Sequence, residues 1–149
     1  MVRHAKAGSR SHWSGDDRLR PLSSKGKKQA EDLVAVLKPF RISDIFSSPY
    51  LRCMQTVEPL ARARRLKIKP SPSLEEGHGL EGLTEFLGDR SLDAAVLSTH
   101  GDIVWELVED LVDREVIQDG EGGYEKGSTW VLEVDDHGVA KRARYLAAP

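Results

Sequence analysis

Asp93-Ala94-Ala95-Val96-Leu97-Ser98-Thr99-His100-Gly101-Asp102 is the stretch on which the fold turns. Its unbroken apolar run, Ala94-Ala95-Val96-Leu97, is what a strand buried on both faces requires. Ile103 to Val112 then carries helical periodicity, so the chain passes from a covered strand into a helix. An earlier stretch repeats this passage. Ile42 to Ser47 reads as a short strand, and a helix is expected from about Leu51 to Arg65 despite Pro59, because Val57, Leu60 and Ala61 keep a helical stripe. Before it, Ala30, Leu33, Val34 and Leu37 share one helical face, with Ser23 or Ser24 as N-cap and Pro39 as the stop. Leu66 to Pro70 alternates apolar residues with Lys, as an edge strand does. Ser71 to Gly82 is a loop rich in Pro, Gly and Glu, followed by a brief helical stretch around Leu83 to Leu87. At the C-terminal end, Ser128 to Val134 and Val139 to Tyr145 flank the turn Asp135-Asp136-His137-Gly138 and predict a β-hairpin. Strands alternating with helices predict an α/β protein, a three-layer α/β/α sandwich with a mostly parallel central sheet.

A chain of 149 residues fits one domain. Its 22 Lys and Arg against 24 Asp and Glu leave no global charge that would argue for nucleic acid or a membrane surface as partner. The run Arg62 to Lys69 is basic but lacks interleaved aromatic residues, so it reads as the solvated face of a helix end and an edge strand. Cys53 is the single cysteine, which excludes an intramolecular disulfide and thiolate-rich metal sites, and His12, His78 and His137 lack paired ligand spacing. No metal and no cofactor is therefore expected. No apolar run is long enough to span a bilayer, and Met1-Val2-Arg3-His4 is no signal peptide, so a reducing cytoplasm is the expected compartment. Trp105 and Trp130 are expected in the core or at an interface.

The chemistry-bearing residues sit at the joints. Arg3-His4 follows Val2 and precedes a loop with Gly8 and Gly15, placing a guanidinium and an imidazole at a strand's C-terminal edge, where open α/β sheets bind ligands. Ser47-Ser48-Pro49-Tyr50-Leu51-Arg52-Cys53-Met54-Gln55-Thr56 ends a strand and opens a helix, bringing Arg52 and a helix N-terminus to the same rim. Both attract phosphate. Thr99-His100-Gly101-Asp102 repeats the arrangement, with Gly101 permitting close approach to a ligand.

Arg-His near the N-terminus, Ser-Ser-Pro-x-x-Arg-x-x-Gln-Thr, Leu-x-Glu in a loop (Leu74-Glu75-Glu76) and a late His-Gly, in that order, resemble the histidine phosphatase superfamily, also called phosphoglycerate mutase-like. The resemblance spans nearly the whole chain. Asp17-Arg18-Leu19-Arg20-Pro21-Leu22-Ser23 and the short length look like the SixA-like branch. Ser14-Gly15-Asp16-Asp17, Gln55-Thr56-Val57-Glu58-Pro59-Leu60 and Lys126-Gly127-Ser128-Thr129-Trp130-Val131-Leu132 are similar to the phosphatase domain fused to MutT/Nudix domains in some bacterial proteins. By resemblance, His4 is a nucleophile that becomes transiently phosphorylated, and Arg3, Arg52 and His100 clamp the anion. Glu76, or Glu75 beside it, is then the general acid. Arg10, Arg20 and Gly101 are further candidates for holding phosphate or substrate, and Arg18, Lys25, Lys27 and Lys28 add positive charge nearby. The implied substrate is a phosphorylated small molecule, a nucleotide among them, or a phosphohistidine protein, with a Nudix-type domain or protein as an implied partner.

Two positions depart from the family pattern. Only Met1-Val2 precede Arg3, where the family has several apolar residues of a central strand, so residues or a domain are expected upstream. Ala5 stands where many members have Gly. The rival reading is a phosphate-binding module without turnover; Arg3, His4, Arg52 and His100 together argue against it, because binding alone needs no nucleophile.

Overall fold

A computed structural model describes residues 1–149. Six strands form one sheet in the order β3-β2-β4-β1-β5-β6: β1 (Val2–Arg3), β2 (Asp44–Ser47), β3 (Ile68–Pro70), β4 (Ala95–Thr99), β5 (Thr129–Val134) and β6 (Ala140–Leu146). The ladders β2–β3, β2–β4 and β1–β4 are parallel, whereas β1–β5 and β5–β6 are antiparallel. Four helices cover the faces: α1 (Ser24–Val36), α2 (Leu51–Arg64), α3 (Glu81–Leu87) and α4 (Gly101–Asp113).

Successive side chains of a strand point to opposite faces, which divides the core in two. Val2, Ile45 and Val96 pack with Leu33 and Leu37 of the α1 region and with Val57, Leu60 and Ala61 of α2. On the other face Met1 and Leu97, with Phe46 against them, meet Leu83 and Phe86 of α3 and Ile103, Val104, Leu107 and Leu111 of α4. The expected sandwich and its partly antiparallel end are thus present.

Boundaries differ by a residue or two. Helix α4 starts at Gly101, earlier than its apolar periodicity shows, because His100 already has the extended backbone of an N-cap. Ser23 caps α1, its hydroxyl accepting from the Gly26 amide at 3.1 Å. Helix α2 ends at Arg64, one residue before the expected end, because Arg65, at φ 55°, closes it in the left-handed conformation. Trp130 is buried as expected, but Trp105 is 48% exposed on α4, outside the core. β1 has only two residues, yet lies between β4 and β5; the Met1 amine donates to the Trp130 carbonyl at 2.9 Å.

Candidate active site

Three strand ends and two loops meet at the C-terminal edge of the parallel strands. The His4 amide donates to the Thr99 carbonyl at 2.9 Å, and the Ser48 amide to the Ser98 carbonyl at 2.9 Å, which locks the ends of β1, β2 and β4 in register. Thr99 also fixes the glutamate loop, its hydroxyl donating to the Leu74 carbonyl at 2.6 Å beneath a fully buried Leu74 side chain.

His4 is 6% exposed, and its Nδ1 lies 2.8 Å from the Ala5 carbonyl. A carbonyl only accepts, so Nδ1 carries the proton and Nε2 keeps its lone pair free. Burial drives the His4 pKa down to about 3, opposed by the Ala5 carbonyl and aided by His100, Arg52 and Arg3. The imidazole is neutral at physiological pH. His100, its ring centroid 5.6 Å away, follows the same logic. Burial lowers its pKa to about 4, with Glu76 opposing and Arg52 adding to the effect. As a neutral ring it accepts from the Ser48 hydroxyl at Nε2 (2.8 Å) and donates from Nδ1 to Glu76 Oε1 (3.2 Å).

Arg52, on the first turn of α2, is wholly buried. Such a guanidinium is tolerated only when paired. Its Nη1 donates to the Asp17 carbonyl at 2.9 Å, and its Nη2 to Asp17 Oδ2 at 3.1 Å and Glu76 Oε1 at 2.8 Å. Arg10 Nη2 reaches the same Glu76 oxygen at 3.3 Å. Three cationic or N–H donors therefore converge on one carboxylate oxygen, the arrangement that holds a phosphate oxygen. Arg3 packs its guanidinium over Gly101, donates from Nη1 to the Tyr124 carbonyl at 2.6 Å, and leaves Nε buried without a partner. The first turn of α4 follows His100 directly and has no side-chain cap, which leaves its first amides without a side-chain acceptor.

Arg3, His4, Arg52, Glu76, His100 and Gly101 are thus brought together, with Arg10 at the exposed lip. Arg20 is placed differently. Its side chain is buried, donating to Asp17 at 2.9 Å and to the Gly8 carbonyl at 2.6 Å, so it supports the loop beneath the site. Glu75 turns away, held by Arg18 at 2.9 Å, which leaves Glu76 as the glutamate facing His100 and Arg52. No three His, Cys, Asp or Glu side chains are grouped as a metal ion needs.

Sequence reasoning missed Asp17, Ser48 and Thr56 as site residues. Burial works against the Asp17 carboxylate, but the hydrogen bond from Arg20 and the charges of Arg52, Arg20 and Arg10 hold its pKa below the usual range. Thr56 receives the Ala5 amide at 2.9 Å and donates to the Arg52 carbonyl at 2.7 Å, tying the loop after β1 to α2. Their signals were present: Asp17 precedes Arg20-Pro21, and Ser48 and Thr56 belong to the stretch that carries Arg52.

A buried neutral imidazole with a free Nε2, ringed by preorganised cationic donors at the strand ends of an α/β sandwich, defines a phosphoryl-handling class of protein. The sequence matches the profile of the histidine phosphatase superfamily (branch 1) over residues 1–102. Over its whole length it is 38% identical to an 8-oxo-(d)GTP phosphatase of Mycolicibacterium smegmatis, and it spans 48% of that protein. Among solved structures, the protein histidine phosphatase SixA complexed with tungstate superposes with a TM-score of 0.75 at 20% identity, covering 98% of this chain and 92% of that one. SixA from Agrobacterium tumefaciens gives 0.73 at 23% identity over 99% and 96%. The structural likenesses show the fold. The chain belongs to the histidine phosphatase superfamily.

Proposed function

We propose that the chain hydrolyses phosphoryl groups through a phosphohistidine on His4, acting on a phosphorylated small molecule of the nucleotide class. The observation that carries this reading is the hydrogen bond from His4 Nδ1 to the Ala5 carbonyl at 2.8 Å, which fixes the tautomer with the nucleophilic lone pair on Nε2. In the forward step Nε2 bonds to phosphorus while the bond from phosphorus to the leaving oxygen breaks. Glu76, hydrogen-bonded as a carboxylate to His100 and Arg52, takes a proton from the bound phosphate monoanion and relays it to the leaving oxygen, and water then attacks the phosphohistidine to release inorganic phosphate. Arg3, Arg52 and His100 balance the charge on the equatorial oxygens, work that needs no metal.

The nucleotide class is supported by the 38% identity to the M. smegmatis 8-oxo-(d)GTP phosphatase. A Nudix-type domain or protein is the partner implied by the resemblance to fused phosphatase domains. One buried, unpaired thiol, Cys53, accords with a cytoplasmic setting. No helix is long and apolar enough to cross a membrane.

The test compares wild type with His4→Ala for phosphate release in EDTA from p-nitrophenyl phosphate, nucleoside di- and triphosphates and a phosphohistidine protein. Intact mass spectra after an alkaline quench follow the enzyme-bound phosphoryl group. Turnover and an acid-labile phosphoryl increment in wild type, both absent in His4→Ala, are expected. Equal turnover in both proteins refutes the mechanism.

A further inference from the structure

We propose that Lys126 and Lys6, with Tyr124, form a leaving-group subsite beside His4, in which the lysines hold the second phosphate of a nucleoside diphosphate and the Tyr124 ring stacks on its base. This rests on the phosphohistidine reading above.

The two lysines come from distant parts of the chain, and their backbones are pinned by one buried side chain. Gln29, on α1, donates from Nε2 to the Lys126 carbonyl at 3.1 Å and accepts the Lys6 amide on Oε1 at 3.0 Å. The next residue, Gly127, donates its amide to the Arg3 and His4 carbonyls at 3.2 and 3.1 Å, so the Lys126 backbone is fastened to the strand end that bears the nucleophile. Tyr124 is fastened to the clamp itself, because its carbonyl receives Arg3 Nη1 at 2.6 Å while the residue remains 45% exposed.

Charge separates this region from the pocket floor. Arg10, Arg18, Arg20 and Arg52 each have a carboxylate partner, whereas Arg3, Lys6 and Lys126 form no ion pair. Burial, followed by Arg3, Arg20, Lys6 and Arg10, pushes the Lys126 ammonium below its ordinary pKa. Positive charge is ion-paired around Arg52; along the Arg3–Lys126 side Asp102 and Glu125 act on Arg3 only from beyond ion-pair distance, which leaves an excess of unpaired cations. A phosphomonoester places one anionic group on Arg52 and His100 and leaves that excess unmet; a diphosphate meets it. The exposed aromatic two residues from Lys126 gives a base a stacking surface.

The step balances without a co-reactant beyond water. His4 Nε2 bonds to the terminal phosphorus, the bond from that phosphorus to the bridging oxygen breaks with its electrons passing to that oxygen, and a nucleoside monophosphate departs after taking the substrate's own proton through Glu76. Water then yields inorganic phosphate.

The experiment measures kcat/KM for GDP, inorganic pyrophosphate and p-nitrophenyl phosphate in wild type, Lys126→Ala and Tyr124→Ala, with His4→Ala alongside. Lys126→Ala is expected to lower the ratios of GDP and of pyrophosphate to p-nitrophenyl phosphate at least about tenfold; Tyr124→Ala lowers only the GDP ratio, by about tenfold. Unchanged ratios, or wild type that hydrolyses p-nitrophenyl phosphate or a phosphohistidine protein but not GDP, overturn the subsite and leave the phosphohistidine reading standing. His4→Ala as active as wild type on p-nitrophenyl phosphate removes that reading itself.

Discussion

Gly101→Ala separates catalysis from folding at this site. A Cβ built on Gly101 falls 2.6 Å from Arg3 Cζ and Nη2 and 2.7 Å from Nε. Ordinary contact between carbons is about 3.5 Å or more, so the guanidinium must retreat by about 1 Å. What moves is the tip of a flexible side chain, tethered by a single hydrogen bond to the Tyr124 carbonyl, so the rearrangement strains little. Alanine is also the better helix former, by roughly 0.5–1 kcal/mol in a helix interior and less in the first turn, where residue 101 stands. Net stability should stay within about 1 kcal/mol of wild type. Catalysis has no such slack: a misplacement of about 1 Å costs on the order of 10²-fold, the same order as losing one preorganised donor.

The assay pairs initial rates on p-nitrophenyl phosphate with urea unfolding, for Gly101→Ala, Arg3→Ala and the double variant. The expected result is a fall in kcat/KM of about 10²-fold at near-native stability, with the double variant no worse than Arg3→Ala because both changes act through one guanidinium. A kcat/KM within about threefold of wild type would refute the claim that Gly101 exists to seat Arg3. So would a double variant whose losses multiply.

Acid should weaken the fold through the two histidines. Their folded pKa values, about 3 for His4 and about 4 for His100, lie below the unfolded 6.5, so the stability of the neutral buried rings is full above about pH 6.5 and lost as pH falls toward 4. At roughly 1.4 kcal/mol per pH unit for each ring, about 4 kcal/mol is lost by pH 5; urea midpoints at pH 7 and pH 5 should show it, and a pH-flat midpoint would count against burial as the cause. Arg52→Lys keeps the charge but not the fork that joins Asp17 to Glu76, so turnover should fall at least about 10²-fold with the fold intact by circular dichroism; near-wild-type turnover would mean that charge alone suffices. Gly26→Ala puts a Cβ 1.9 Å from the Lys6 carbonyl oxygen, a backbone atom, so its melting temperature should drop by roughly 5 °C or more, and an unchanged melt would show that α1 can shift outward.

The sandwich was legible because its signals are local. The Ala94–Leu97 run, the stripe on α1 and the Asp135–Gly138 turn each state their element within a few residues. The site was legible where a residue must follow a strand: His4 and His100 directly follow β1 and β4, and Arg52 lies on the first turn of the helix after β2. Partners brought in by the loops were not. Nothing in Asp17-Arg18-Leu19-Arg20 says that Asp17 lies between Arg52 and Arg20, or that Arg20 spends its guanidinium on Gly8 and Asp17 rather than on substrate. Likewise Leu74-Glu75-Glu76 leaves the two glutamates equivalent until Arg18 removes one of them.

The charge on Arg52 explains why those loop partners must exist. A guanidinium with no exposure has to be neutralised in place, since leaving it unpaired would cost several kcal/mol. A substrate phosphate can serve only while it is bound, so the unliganded protein needs a carboxylate of its own. Two are present, and they are held differently. Both carboxylates pair with Arg52 and Arg10, but Asp17 is also anchored by Arg20, a buried residue away from those donors, whereas the further partner of Glu76 is His100, which with Arg52 and Arg10 would itself bind phosphate oxygens. A phosphate entering among those donors competes with Glu76 and leaves Asp17 in place. In the proposed mechanism, the glutamate so displaced is the group that relays the proton to the leaving oxygen.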